Sequence, residues 1–234
     1  MLTGSARIGL AVAHALAARG CGLSVLYRSS RDAAEGAAGE ASAQGLPALA
    51  LRADVTDHTQ VEHAVKQTME SFGRVDILIN MASIYLETPT PSLADWSLAM
   101  QANATSAFHL SMLTAPIMKL NGGRIINFAD WLPVSGRPRY KGYVPYYSSK
   151  ATVVALTESL ALELAPEILV NAIAPGPILA PPDFSAEENA RVTNVTPLRR
   201  WGGSEEIAKT VLFLIETEFI TGECIRVDGG RHLY

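Results

Sequence analysis

The chain has 234 residues, 48% of them hydrophobic, a formal charge of −4 and no Lys/Arg cluster; it suits one well-cored domain, and its charge argues against nucleic acid or an anionic membrane as main partner. No apolar run reaches transmembrane length, and the N-terminus lacks a signal-peptide layout. Cys21 and Cys224 are too few for a disulfide framework, which points to a reducing cytoplasm, and the five histidines lack paired ligand spacing, so no metal site is expected.

In chain order, Thr3-Gly4-Ser5-Ala6-Arg7-Ile8-Gly9 comes first and opens a helical pattern over residues 8–19. Glycines there let a backbone approach a pyrophosphate resting on the helix N-terminus, so Gly4, Ser5, Arg7, Ile8 and Gly9 read as a nucleotide turn; a purely structural turn is the plainer alternative. Candidate strands follow at 23–26, 48–51, 77–79, 124–128, 169–173 and 224–227. Helical patterns at about 31–44, 57–72, 93–120, 146–164 and 205–215 separate them. This βαβ rhythm predicts a single doubly wound α/β domain, with a mostly parallel sheet, helices on both faces and ligands at the carboxyl ends of the strands.

The second strand runs into Tyr27-Arg28-Ser29-Ser30, where an NAD site would carry an acidic residue for the ribose diol. Arg28 and Ser29 instead offer donors to a 2′-phosphate, which favours NADPH over NADH; a solvated loop arginine is the bland reading. Asp54 and Val55 are placed to meet an adenine edge, and Asn80, Ala82 and Ser83 to lie along the ribose. Tyr146 and Lys150 stand four apart on one predicted helix face, and a fixed ammonium there would favour the phenolate, making the tyrosine a usable acid or base. The prolines at 177, 181 and 182 break the rhythm, so the segment at about 176–200 reads as a loop or small helical flap over the site.

Together, Thr3-Gly4…Gly9, Asp54-Val55, Asn80-x-Ala82, Asn103, Tyr146-x-x-x-Lys150, Asn171-x-x-x-Pro175-Gly176 and Thr221-Gly222…Val227-Asp228-Gly229-Gly230 resemble the short-chain dehydrogenase/reductase family over essentially the whole chain. The resemblance implies a Rossmann-like fold, NADP contacts from Pro175, Gly176 and Ile178 as well as from the residues above, and catalysis by Asn103, Tyr146 and Lys150. It also implies a homotetramer formed through the helices at 93–120 and 146–164. Where the family usually has a serine after the fifth strand, this chain has Asp130. With Arg7 in the glycine turn and Ala82-Ser83-Ile84-Tyr85 after the fourth strand, that aspartate resembles the pteridine reductase and dihydromonapterin reductase branch.

On that likeness Arg7, Ser83, Tyr85, Asp130, Trp131 and Tyr146 would meet a small cyclic, pterin-like substrate. Tyr85 would stack on the ring and Asp130 would orient Tyr146 or relay protons. Lys150 would hold the nicotinamide ribose and lower the Tyr146 pKa, and Asn103 would anchor a water. Plainer readings stand beside these: Asp130 as the cap of a following turn, Tyr85 as a packing contact, Trp131 as an exposed loop residue. A carbonyl or 3-oxoacyl thioester reductase would use the same Tyr146 and Lys150. A non-catalytic NADPH sensor is the alternative from another class, and the complete Asn103, Tyr146 and Lys150 set argues against it. The sequence departs from the family in four places: only Met1 and Leu2 precede Thr3, the glycine turn is one residue short, Met81 replaces a more common asparagine after the fourth strand, and the loop 133–145, with Gly136, Arg137, Pro138 and Arg139, is long. By resemblance to relatives, Arg231 or His232 would reach toward a neighbouring subunit's site.

Overall fold

The computed structural model describes residues 1–136 and 138–233; Arg137, in the long loop, lies outside them. Seven parallel strands form one sheet in the order β3-β2-β1-β4-β5-β6-β7. They are β1 (Leu2–Thr3), β2 (Leu23–Tyr27), β3 (Ala48–Arg52), β4 (Ile77–Asn80), β5 (Gly123–Phe128), β6 (Ile168–Pro175) and β7 (Cys224–Val227). The strand order reverses between β1 and β4, and a crevice opens there beyond the carboxyl ends.

The helices are α1 (Ile8–Ala17), α2 (Arg31–Ala43), α3 (His58–Phe72), α4 (Leu93–Met100), α5 (Ser106–Met118), α6 (Trp131–Val134), α7 (Val144–Leu164), α8 (Ala186–Asn194) and α9 (Ser204–Glu216). Strand alternation divides the core. Ile79 and Ile126 pack with Val12 and Leu16 of α1, with α2, and with Ile207, Val211 and Leu214 of α9. Their neighbours Leu78 and Ile125 pack with Val61 and Val65 of α3, Leu110 and Met118 of α5, and Leu160 and Leu164 of α7. The sheet is thus covered on both faces, as parallel sheets require.

β1 has only two residues, yet it holds the centre of the sheet, with Leu2 opposite Val25 and Ile79. One element differs from expectation, while the Asp130 cap and the helical flap match readings offered above. The pattern at 93–120 is not one helix: a π-helical turn at Gln101–Thr105 separates α4 from α5. Asp130 caps a short helix, α6, whose Pro133 is tolerated because a first-turn amide has no intrahelical acceptor. The flap contains α8, set by a capping box in which Ser185 accepts from the Glu188 amide and Glu188 from the Ser185 amide.

Candidate active site

A cavity of about 550 Å³ occupies the crevice, within the range of small-molecule sites. Gly4, Ser5, Arg7, Ile8, Gly9, Arg28, Ser29, Asp54, Val55, Ala82, Ser83, Tyr85, Pro175, Gly176 and Ile178, all expected from sequence, line it. Gly4 has φ +87°, and a Cβ on Gly9 would lie 1.9 Å from the Gly4 carbonyl oxygen, so this turn closes only with glycine at position 9. No side chain caps the first turn of α1, whose amides face the anion-binding end. At the mouth Arg28 is exposed, with Nη1 3.8 Å from Asp54 Oδ2, while Asp54 Oδ1 accepts from the Thr56 amide at 2.9 Å.

Arg7 has φ 52° and ψ −104°, a conformation ordinarily left to glycine. Its guanidinium crosses the crevice and donates to the carbonyls of Leu179 and Ala180 at 3.4 and 3.2 Å, so Arg7 tethers the flap to the glycine turn. Met81 also lines the cavity, as do Thr56, Leu179 and Trp201, which went unrecognised in the sequence. Trp201 is where the flap docks: its Nε1 donates to Asn189 of α8 at 3.1 Å and its ring meets Phe184 edge-on.

Beyond the cavity's inner end lie Asp130, Tyr146 and Lys150. Tyr146 Oη donates to Asp130 Oδ2 at 2.7 Å, and Asp130 Oδ1 accepts from the Leu132 amide at 2.8 Å. The capping role and the tyrosine-orienting role of Asp130 therefore coexist, one per oxygen. Burial raises the Asp130 carboxyl above the ordinary carboxylate range, opposed by its hydrogen bonds and by Lys150. The buried Lys150 ammonium donates to the Phe128 carbonyl at 2.7 Å, and burial lowers its pKa to about 8. Tyr146 departs from the expectation of an easily ionised phenol. Burial and the Asp130 charge hold its pKa well above the usual value, because the carboxylate, not the ammonium, faces the hydroxyl.

Tyr85, 56% exposed, stacks on Tyr143 with centroids 4.7 Å apart and meets Tyr146 edge-on at 4.7 Å. Three further expectations are corrected. Asn80 does not lie along a ribose: its side chain is buried within the sheet and donates to Asn127 Oδ1 at 2.9 Å, since the strand's alternation turns it inward. Asn103 has no side-chain capacity left for a water. Its Oδ1 accepts from Ser83 Oγ and the Ile84 amide, and its Nδ2 donates to the Ile84 carbonyl and Ser149 Oγ, which exhausts the amide. Trp131 is neither exposed nor part of the cavity lining; it is buried beneath Arg139 and Arg231.

A family model described as enoyl-(acyl carrier protein) reductase matches residues 4–232. A 3-oxoacyl-[acyl-carrier-protein] reductase from Synechocystis sp. is 36% identical over 243 residues, covering 100% of this chain and 96% of the relative. Among solved structures, FolM alternative dihydrofolate reductase 1 from Brucella canis, complexed with NADP, superposes with TM-score 0.90 at 30% identity, covering 100% of this chain and 93% of its own. A blue fluorescent protein from a metagenomic library, in complex with NADPH, superposes with TM-score 0.90 at 32% identity, covering 98% and 97%. A crevice built on a glycine turn, a Tyr146/Lys150 helix beside it and likeness along the full length lead to one assignment: the chain belongs to the short-chain dehydrogenase/reductase family of oxidoreductases.

Proposed function

We propose that the protein reduces a C=N bond in a pterin-like ring with NADPH. Bound in the crevice, NADPH supplies the hydride. Gly4, Ser5, Ile8 and Gly9 would hold its pyrophosphate, Arg28 and Ser29 its 2′-phosphate, Asp54 and Val55 its adenine, and Ala82, Pro175, Gly176 and Ile178 its nicotinamide half, with Lys150 at the ribose. Tyr146 holds a proton at its hydroxyl and delivers it to the ring nitrogen, which becomes strongly basic as the neighbouring carbon is reduced. Asp130 aims that hydroxyl and, with its raised pKa, reloads it. Tyr85, braced by Tyr143, offers a flat aromatic face to a flat substrate, with Arg7 and Ser83 at the substrate's polar edge.

One observation carries this reading: the 2.7 Å hydrogen bond from Tyr146 to a carboxylate. A serine hydroxyl there would orient the phenol, whereas a carboxyl of raised pKa also stores a proton. The family likeness supports a second reading, a 3-oxoacyl thioester reductase using the same Tyr146, because several similar relatives bear that name. NADPH oxidation by the purified protein with dihydrobiopterin, dihydromonapterin, dihydrofolate and a 3-oxoacyl thioester, with Tyr146→Phe as the blank, separates the two. Pterin turnover lost in the variant supports the first reading; thioester turnover alone moves the enzyme to the second. We also infer a cytoplasmic homotetramer. The half-exposed Phe108 and Met112 of α5 and the exposed Leu162 of α7 support an interface on those helices.

A further inference from the structure

Asp130 divides one carboxylate between the Leu132 amide and the Tyr146 hydroxyl, so its aim depends on where α6 sits. A helix of four residues has no stability of its own. The groups that hold it come from the loop before α7, from β7 and from the carboxyl-terminal turn. The guanidinium carbons of Arg139 and Arg231 each lie 5.3 Å from the centroid of the Trp131 ring, the first residue of α6. Arg226 donates to the carbonyl of Val134, its last residue, at 3.4 Å, and Arg139 donates to the His232 carbonyl at 3.3 Å. The turn is itself pinned. Buried Asp228 accepts from the Gly230 and His232 amides, each at 3.0 Å, and pairs with His232 Nδ1 at 2.7 Å.

We propose that the turn at 228–233 positions Asp130, with Arg231 as its working residue, acting through Trp131 and α6 on the carboxylate that aims Tyr146. None of Trp131, Arg139, Arg226 and Arg231 lines the nucleotide crevice, so the effect falls on proton delivery and not on cofactor binding. The inference rests on the role proposed above for Asp130, and its first test, hydrogen exchange, is read without any substrate.

Hydrogen–deuterium exchange of residues 131–136 in the full chain compares Arg231→Ala, Arg231→Lys, Asp130→Ala and the Arg231→Ala/Asp130→Ala double variant. Arg231→Ala is expected to speed exchange about tenfold, the scale of a desolvated cation–π contact. Arg231→Lys, which keeps a cation able to sit over the ring, restores most of the protection. The double variant exchanges no faster than Asp130→Ala, because both changes act through one cap. In turnover, Arg231→Ala lowers kcat and leaves KM for NADPH unchanged. Unaltered exchange in Arg231→Ala, a lysine variant as unprotected as the alanine variant, or additive effects in the double variant would each overturn the inference. A wild-type protein without pterin reduction would instead remove the functional proposal while leaving the exchange result to stand.

Discussion

The two ends of the crevice solve opposite electrostatic problems. At the end proposed for the nucleotide the charged groups stay in water: Arg28 and Arg7 are exposed, and the Arg28–Asp54 pair is loose at 3.8 Å. At the end proposed for proton transfer Lys150 and Tyr146 are buried, and burial is the largest cause of the shifts on Asp130, Tyr146 and Lys150. An exposed cation keeps its hydration until an anion arrives, so it serves recognition at little cost to folding. A buried acid and base are held away from their ordinary pKa values at the expense of stability, and that displacement is useful in moving protons. Changes at the first end should therefore alter affinity, and changes at the second should trade turnover against stability.

The largest effect is expected from Tyr146→Phe: turnover falls by about 10³-fold or more while NADPH affinity, read by fluorescence titration, is retained. Equal loss of both would erase the division between the two ends. Asp130→Asn is next, with kcat lower by roughly 10²-fold and a higher melting temperature at pH values above the carboxyl's folded-state pKa. The sign follows from the raised carboxyl pKa. Between the unperturbed value of 3.8 and the folded-state value, the folded chain holds a proton that the unfolded chain has lost. The group's favourable contribution is thus full below 3.8 and lost as the pH rises through the folded-state value. Above that value the cost of the buried carboxylate is present, and the amide removes it. A lower melting temperature in Asp130→Asn would contradict this account.

Smaller effects belong to the nucleotide end. Arg28→Ala should weaken NADPH binding by roughly 10-fold, the worth of one charge-assisted hydrogen bond in water, leaving NADH binding and kcat unaltered. A matched loss for both cofactors would mean that Arg28 does not read the 2′-phosphate. The smallest change is expected from Arg7→Gly, which relieves a positive φ at the loss of the flap tether. The urea midpoint should rise by an amount corresponding to about 1 kcal/mol, together with faster hydrogen exchange at Leu179 and Ala180.

The sheet and the lining of the crevice were largely legible in the sequence because both are written in local signals. Apolar runs of strand length, amphipathic segments and the glycine turn each act through neighbours close in the chain, and the six expected strands lie within one or two residues of β2 to β7. The Tyr146/Lys150 pair was legible for the same reason, being one helical turn apart. The capping box of α8 was equally local but lay within a proline-rich stretch read as a flap.

What the sequence could not decide were the partners that come from afar. Asn80 stands in the expected place, yet the pleat of β4 turns it to Asn127 inside the sheet and away from the crevice. Asn103 is spent on a loop about 19 residues upstream, and Trp131 lies under Arg139 and under Arg231, 100 positions further along the chain. The ionisation of Tyr146 is the clearest case. Spacing alone places it beside Lys150, but a pKa follows distance and burial in three dimensions, and folding sets Asp130 against the hydroxyl while the ammonium turns to the Phe128 carbonyl. Sequence determined the residues and the frame; tertiary structure determined which of them face each other, because the electrostatics of a buried site depends on contacts between elements that no local pattern encodes.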